Sequence, residues 1–299
     1  MLVPKGGAAL LARAATAMTA IAGVVVAVVS AAGQPNVPVD LPGLLTLIGE
    51  RVEAYYARAQ SIICVETLRV QRLSHSLVPE PHMRVLVYEL RVTREAGTDA
   101  YPTPEANVVR QLKTVNGRVP KPADNPDCLD PYDVSLDPLT FLLPHNQRDY
   151  KFSFKGSSRV NKRSAVMLDY SPVSKAPMEA TWRDGCVSVD APARTTGRLW
   201  VDTATGDILR IDEQMQGPID LDVPAPQRKP DTVPSLTLER AASSIRYKAV
   251  AFTDPDELIM LPESIENLSV AGGTVASIRM THTFSGYQRF VTGGRIVQD

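Results

Sequence analysis

The sequence has few of the residue patterns on which enzymes and metal proteins depend. Its four histidines, His75, His82, His145 and His282, do not have the spacing of a metal-ligand set. No nucleophile-elbow motif marks a serine hydrolase, and no glycine-rich phosphate loop is present. We therefore expect no catalytic residues, no metal site and no cofactor, which favours a protein that is not an enzyme.

An excess of basic residues is also absent. The 299-residue chain has 32 Lys and Arg against 33 Asp and Glu, a formal net charge of -1. Nucleic-acid binding normally requires a basic face, so we expect no nucleic-acid partner. The basic residues are scattered, and no polybasic cluster indicates attraction to anionic lipid headgroups.

Only one apolar run approaches the length of a membrane span. Residues 14–32 follow Lys5 and Arg13 and end in the small residues Ser30, Ala31 and Ala32. This layout is typical of a secretory signal peptide, so we expect residues 1–33 to be cleaved and the protein to be periplasmic or secreted. An uncleaved anchor is the alternative. We expect no transmembrane span in the mature chain, although membrane contact stays open.

The chain contains three cysteines, Cys64, Cys128 and Cys186. In an oxidising compartment two of them can form a disulfide. Cys128 lies in an irregular segment and Cys186 follows a turn, whereas Cys64 lies in an apolar strand pattern. We expect a Cys128–Cys186 disulfide and a buried free thiol at Cys64.

The clearest local pattern is a β-hairpin at residues 197–214. Leu199 and Val201 alternate with polar residues, and the alternation resumes at Leu209 and Ile211 after a connection that contains Gly206. Period-two patterns on both sides of a short glycine-containing connection are typical of a hairpin.

The pattern elsewhere predicts one helix followed by strands. Pro42 begins an apolar stripe at three- and four-residue spacing, which predicts a long helix ending near Gln60. About eleven strand patterns follow without alternating helices, so we expect a mainly β (α+β) fold, a curved antiparallel sheet or half-barrel. Residues 34–41 are expected to be a linker, and residues 42–299 a single domain.

Most acidic residues fit structural roles. Asp202 and Asp207 are typical of residues in a hairpin turn. Glu66 and Arg69 fit a cross-strand charge pair better than a catalytic dyad. The remaining acid groups favour turn chemistry over calcium binding: Asp220, Asp222, Asp254, Asp256 and Glu257.

A curved sheet covered by a single helix leaves apolar surface that the helix cannot fill. Ligand pockets are concave and mainly apolar, so such a surface suits a lipid or acyl chain. Aromatic residues on strands more often belong to the core. The candidate cavity residues are Leu86, Tyr88, Leu90, Trp182 and Trp200.

The order of elements and the hairpin resemble a known family. The run Gly197, Trp200, Asp202, Thr205, Gly206 and Arg210 is similar to a hairpin of the lipoprotein-carrier half-barrels of bacterial envelopes (LolA, LolB and the sensor domain of RseB). The chain also resembles uncharacterised secreted proteins of environmental bacteria in the segments CLDPYDVSLDPLTFLLPHN and TWRDGCVSVD. The first resemblance implies a half-barrel around an apolar cavity that accepts acyl chains; the second implies no activity.

These observations favour a non-enzymatic envelope protein that binds a lipid, an acylated protein or another apolar ligand. Two alternatives stay open. One is a secreted hydrolase that uses acids and histidines in the long loops, and the other is a protein-interaction module of the envelope. The oligomeric state is not indicated by the sequence.

Overall fold

The computed structural model describes residues 40–95, 103–121, 124, 138–173, 176–183, 186–228, 234–272 and 277–289. The expected signal peptide at residues 1–33 lies outside these ranges, as does Cys128. Cleavage of that segment and the Cys128–Cys186 disulfide therefore stay predictions.

One long helix, α1, extends over Leu41–Arg58. Asp40 caps its first turn, where a side-chain oxygen accepts a hydrogen bond from the backbone N–H of Gly43 at 3.2 Å. Pro42 occupies a position where its missing N–H removes no helical hydrogen bond. The helix ends at Arg58, two residues before the predicted end near Gln60. A second helix, α2, is a single turn over Pro144–Gln147.

The described residues also form thirteen strands. Their bounds are β1 Ser61–Leu73, β2 Pro79–Glu95, β3 Glu105–Val115, β4 Tyr150–Val160, β5 Arg163–Pro172, β6 Glu179–Arg183, β7 Cys186–Asp190, β8 Thr195–Asp202, β9 Ile208–Met215, β10 Ile219–Asp222, β11 Ser235–Thr253, β12 Asp256–Ala271 and β13 Ser277–Arg289. Short 3-10 turns lie at Thr140–Leu142, Pro192–Arg194 and Ala225–Gln227.

Eleven of these strands form one antiparallel sheet. The strand order is β3-β2-β1-β13-β12-β11-β9-β8-β5-β4, and β10 pairs with β11. Strands β6 and β7 pair only with each other. In the described part of the chain the sheet is open, since β3 and β4 end it on opposite sides. The expected mainly β fold, a curved antiparallel sheet with one long N-terminal helix, is confirmed.

Helix α1 covers one face of the sheet, which we call the inner face. The main core cluster joins residues of α1 with residues of strands in both halves of the sheet. The α1 residues are Ile48, Val52, Tyr55 and Tyr56. A smaller core cluster joins Leu68, Val70, Leu86, Tyr88 and Val115 of β1, β2 and β3.

Sheet residues also hold the end of α1. Arg94 of β2 donates to the carbonyl of Ala59 at 2.7 Å, and Arg289 of β13 donates to the carbonyl of Arg58 at 2.8 Å. The last carbonyls of a helix have no partner within it. Two strands therefore complete the hydrogen bonding of the helix C-terminus.

The predicted hairpin is confirmed as β8 and β9, with Leu199 and Val201 buried. The two prolines of residues 75–82 are typical of a loop, but this interpretation is wrong at the end of the segment, because β2 already begins at Pro79. A register shift between Gln71 and Leu73 lets the proline-containing start of β2 pair with β1.

Three further segments differ from what their residues predict. The prolines of residues 215–235 are typical of a loop, but the segment contains strand β10. Pro262 is expected to interrupt a strand, but it lies within β12, where a bulge opposite Tyr247 accommodates it. Asn116–Gly117 is a typical hairpin dipeptide and forms a tight turn, but the described residues that follow it contribute only the single bridge between Val115 and Arg118.

Candidate functional site

The turn between β8 and β9 packs against α1 and is held in shape by hydrogen bonds. An oxygen of Asp202 accepts from the backbone N–H groups of Ala204 and Thr205 at 2.8 and 3.0 Å. Burial alone would raise the pKa of Asp202, but these hydrogen bonds and one from Arg163 together hold the pKa below its ordinary value. Asp202 and Asp207 therefore have the turn role that the sequence predicts.

Arg163 at the start of β5 joins the two ends of this turn. Its guanidinium donates to Asp202 at 2.7 Å and to Asp207 at 2.9 Å. It also donates to the Thr205 hydroxyl at 3.1 Å. One cation thus bridges two carboxylates and fixes the shape of the turn.

Helix α1 packs closely on the same turn. Gly206 has a φ of +75°, and a Cβ there would lie 2.7 Å from Cγ of Leu47. The Nε of Arg51 donates to the carbonyl of Thr205 at 2.5 Å. The glycine is required both by its backbone conformation and by the close approach of the helix.

A cavity of about 410 Å³ lies where α1, the β8–β9 turn and β12 meet. This volume is within the range of small-molecule sites. Its apolar and aromatic lining consists of Val52, Tyr55, Leu139, Ile208, Tyr247, Leu258 and Met260. Its polar lining consists of Arg51, Arg58, Arg163, Thr205 and Asp207.

The rim of the cavity includes the exposed Leu258 and two partly exposed arginines. The side chains of Arg51 and Arg58 are 41% and 38% exposed. Val52, Ile208 and Tyr247 are buried. The cavity therefore has an apolar interior and a cationic rim, an arrangement that suits an apolar or amphiphilic molecule.

The five cavity candidates from the sequence do not line this cavity. Leu86 and Tyr88 face the inner side but pack in the smaller core cluster. Leu90 packs in the main cluster beside α1. These three residues are buried among other side chains, and contact with a ligand stays a prediction for them.

The two tryptophans are placed elsewhere. Trp200 alternates with the buried Leu199 and Val201 and so points to the outer face, where the Arg210 guanidinium lies 4.7 Å from its ring centroid. Trp182 is on β6, opposite Val187 in the separate two-stranded sheet. Neither residue is part of the cavity lining.

The inner face also holds a buried charged cluster, which we call the Glu66 cluster. Glu66 and His282 are fully buried, and the Arg110 side chain is 5% exposed. The Glu66 oxygens contact Nδ1 of His282 at 2.7 Å and Nε of Arg110 at 2.9 Å. Because an ionised carboxylate only accepts hydrogen bonds, Nδ1 carries the proton.

The partners of Glu66 determine its protonation. Burial alone would raise the pKa of Glu66, but the hydrogen bond from His282 and the charge of Arg110 outweigh it and hold the pKa below its ordinary value. The expected pairing of Glu66 with Arg69 is therefore wrong, since Arg110 of β3 and His282 of β13 are its partners.

Cys64 is a buried free thiol, as the sequence predicts. Burial and the nearby charge of Glu66 raise its pKa to about 12. The thiolate is the reactive form of cysteine, so Cys64 is an unreactive core residue.

A further polar contact on the inner face joins Tyr170 and Glu213. The Tyr170 hydroxyl of β5 donates to Glu213 of β9 at 2.6 Å, within a group of aromatic rings that includes Phe141 and Tyr150. Burial raises the pKa of Glu213 above its ordinary value, because the single hydrogen bond from Tyr170 does not offset the desolvation.

The sequence reasoning did not identify the arginines of the cavity rim. The helical pattern predicts that Arg51 and Arg58 lie on the solvent-exposed face of α1, which agrees with their partial exposure. Their seven-residue spacing places them on one side of α1, two turns apart. That spacing was the available signal, but the turn that faces them comes from about 150 residues further along the chain.

Two features, a metal-ligand group and a membrane-spanning helix, are absent from the described residues. No group of three His, Cys, Asp or Glu side chains is close enough to hold a metal ion there. Within the same ranges, none of the helices combines the length and the apolar composition that crossing a bilayer requires.

Comparison with known proteins gives structural similarity only. No protein-family model matches the chain, and no curated protein sequence matches it. The solved structures to which it is similar include members of the group that the sequence resembles.

Three of these structures illustrate the match. A putative outer membrane lipoprotein-sorting protein domain from Vibrio parahaemolyticus is 9% identical, with 84% of this chain and 94% of that chain covered and a TM-score of 0.41. A LolA superfamily protein from Nitrosomonas europaea is 11% identical, with coverages of 85% and 97% and a TM-score of 0.36. A chain of the MucA/MucB complex of Pseudomonas aeruginosa is 12% identical, with coverages of 81% and 93% and a TM-score of 0.22. At these identities and TM-scores the similarities carry no functional argument.

Proposed function

We propose that the protein is a non-enzymatic envelope protein that binds a lipid, an acylated protein or another apolar ligand between α1 and the inner face of its sheet. The observation that carries the proposal is the cavity of about 410 Å³ with buried apolar walls. An apolar ligand gains free energy in such a site because it removes apolar surface from water.

The proposed location of the protein is the periplasm or the exterior of the cell. This location depends on the signal-peptide pattern at residues 1–33. We also propose that residues 42–299 form a single folded domain. An acylated partner would insert its acyl chain, so the same cavity serves for a free lipid and for a lipoprotein.

The hydrolase alternative requires acids and histidines that meet at one mouth of the sheet. His75 lies in the turn after β1, His145 in α2, Asp220 in β10 and Asp254 in the β11–β12 turn. His282 is enclosed in the Glu66 cluster. This distribution over separate elements gives no observation in favour of a hydrolase.

The proposal is tested by ligand binding to the purified protein. Native mass spectrometry after purification without detergent is expected to detect lipid bound to the exported protein. The neutral dye Nile red is expected to bind, and a displaceable signal measures the affinity of unlabelled lipids.

A variant that fills the cavity gives the matched test. Met260→Trp places a larger side chain in the lining and is expected to weaken Nile red binding by about tenfold, or about 1.4 kcal/mol. Val109→Trp, at a position of β3 that is 56% exposed, is the control and should bind as the unmodified protein does. Failure of the dye and of native lipids to bind, or equal binding by both variants, would contradict the proposal.

A further inference from the structure

Two arginines of the cavity rim are oriented but incompletely paired. Arg51 and Arg58 are seven residues apart on α1, which corresponds to two turns and about 10 Å along the helix axis. Both therefore lie on the side of the helix that faces the cavity, with Tyr55 between them.

The two carboxylates nearest to these arginines are already bound by other cations. Asp207 accepts a hydrogen bond from Arg163 at 2.9 Å, whereas Nε of Arg51 is 4.0 Å from it. Glu257 is in direct contact with Arg289, whereas Nη1 of Arg58 is 3.9 Å from it. Distances of this size are beyond hydrogen-bond range.

Backbone contacts hold both guanidinium groups in place. Nε of Arg51 donates to Thr205, and among the described residues its two Nη atoms have no hydrogen-bond partner. Nε of Arg58 donates to Ala54 at 3.1 Å, and its Nη1 makes a long contact of 3.4 Å with the carbonyl of Leu258. Each arginine thus keeps N–H groups that can donate to a ligand.

We infer that the ligand of the proposed function is an anionic amphiphile, with its apolar part against Val52, Ile208 and Met260 and its carboxylate or phosphate group bound by Arg51 and Arg58. The inference rests on the proposed function, because it assigns a chemical class to the ligand of that same cavity. Guanidinium groups are well suited to both anions, since they donate parallel hydrogen bonds to two oxygens. A half-exposed rim also lets the charged group keep part of its hydration.

A set of twelve-carbon compounds with different headgroups tests the inference. Dodecanoic acid, dodecyl phosphate, dodecanol and dodecylamine each displace Nile red from the unmodified protein at neutral pH. We expect the acid and the phosphate to compete at about tenfold lower concentration than the alcohol, which corresponds to about 1.4 kcal/mol. The amine is expected to be the weakest competitor, and the order of the two anions distinguishes a fatty acid from a phosphate lipid.

Variants of the arginines assign the effect to the rim. Arg51→Gln and Arg58→Gln should each reduce the advantage of the acid over the alcohol, measured as the ratio of the two affinities for the same variant, by about threefold or more. Arg51→Lys keeps the charge and should restore part of the advantage. Arg69→Gln removes an exposed arginine of β1 away from the cavity and should have no effect.

The possible failures are distinguishable. Equal displacement by the acid and the alcohol, or an advantage that survives both Gln substitutions, would overturn the anionic ligand and leave an apolar site. Absence of Nile red binding and of displacement by every compound would instead overturn the proposed function. Raising the salt concentration should weaken the acid and not the alcohol if the rim acts through charge.

Discussion

Charged side chains on the inner face are fully buried in one half of the sheet and partly exposed in the other half. The closed region consists of β1, β2, β3 and β13 and encloses the Glu66 cluster, whose carboxylate and imidazole are fully buried. The open region consists of β5, β8, β9 and β12 and faces the cavity, where the arginine side chains of the rim are 41% and 38% exposed.

The difference shows which charges maintain the fold and which are available to a ligand. In the closed region each oxygen of the buried Glu66 carboxylate has a partner within 3 Å, because an unpaired charge in an apolar core would be very unfavourable. In the open region the side chains of Arg51 and Arg58 are partly exposed to solvent, so incomplete pairing costs little. Only the second kind of charge can exchange its water for a bound anion.

The largest expected effect comes from breaking the Glu66 cluster. Glu66→Ala leaves the Arg110 cation buried without its carboxylate, and we expect the free energy of unfolding to fall by about 3–5 kcal/mol. Urea denaturation measures the change. Glu89→Ala, which removes the contacts of Glu89 with Arg91 and Lys113, is the control and should have a much smaller effect. Equal losses in the two variants would mean that burial does not determine how much a charged partner contributes to stability.

A pair of glycine substitutions separates backbone strain from packing in the open region. Gly117→Ala and Gly206→Ala both place a side chain at a positive φ, of +77° and +75°. A Cβ at Gly117 meets no atom within 4 Å, so we expect a loss of about 1 kcal/mol there. At Gly206 the contact with Leu47 adds to the strain, and we expect about 2–3 kcal/mol.

Thermal unfolding of the two variants gives the comparison, and Nile red binding gives a second measurement. Gly206→Ala should also weaken dye binding, because the turn that it displaces is a wall of the cavity. Equal stability of the two variants would show that α1 does not press on the turn.

A smaller and opposite effect is expected at Glu213. Glu213→Gln keeps an acceptor for the Tyr170 hydroxyl and removes a desolvated charge, so we expect stability at neutral pH to increase by about 1 kcal/mol. Chemical denaturation at neutral pH measures it. Tyr170→Phe, which removes the one hydrogen bond to the carboxylate, should instead reduce stability.

The two glutamates also predict opposite pH dependences. The folded pKa of Glu66 is lowered, so its contribution is fully present above the ordinary glutamate pKa of about 4.3 and is lost as pH falls through the lower folded value. The folded pKa of Glu213 is raised, so its contribution increases as pH falls from the raised value towards about 4.3. Unfolding free energies of Glu66→Gln and Glu213→Gln, each compared with the unmodified protein as a function of pH, measure these changes. As pH falls, the stability of the unmodified protein should decrease relative to Glu66→Gln and increase relative to Glu213→Gln.

The sequence was sufficient where local pattern decides the structure. The stripe that includes Ile48 and Val52 predicts α1, and the alternation around Leu199 and Val201 predicts the β8–β9 hairpin. Both signals come from residues within a few positions of one another. Strand β10 was missed because its four residues lie between prolines, whose presence is typical of loops.

Long-range pairing explains the remaining errors. Glu66 was paired with Arg69 because the two are close in sequence, but its arginine partner is 44 residues away on β3. Scattered basic residues gave no sign of anion binding, because the sequence does not show that Arg51 and Arg58 face a cavity whose acids are bound by other arginines. The site is a property of the assembled sheet.

The pairing of β1 with β13 limits the order in which the parts of the sheet can be joined. Glu66 and His282, which meet across these two strands, are 216 residues apart in the chain. Closing so long a loop is slow, and the strands on either side of this junction have no other link across it in the sheet order. Among the described strands, the two parts of the sheet are therefore joined only once β13 has been made and has paired with both β1 and β12.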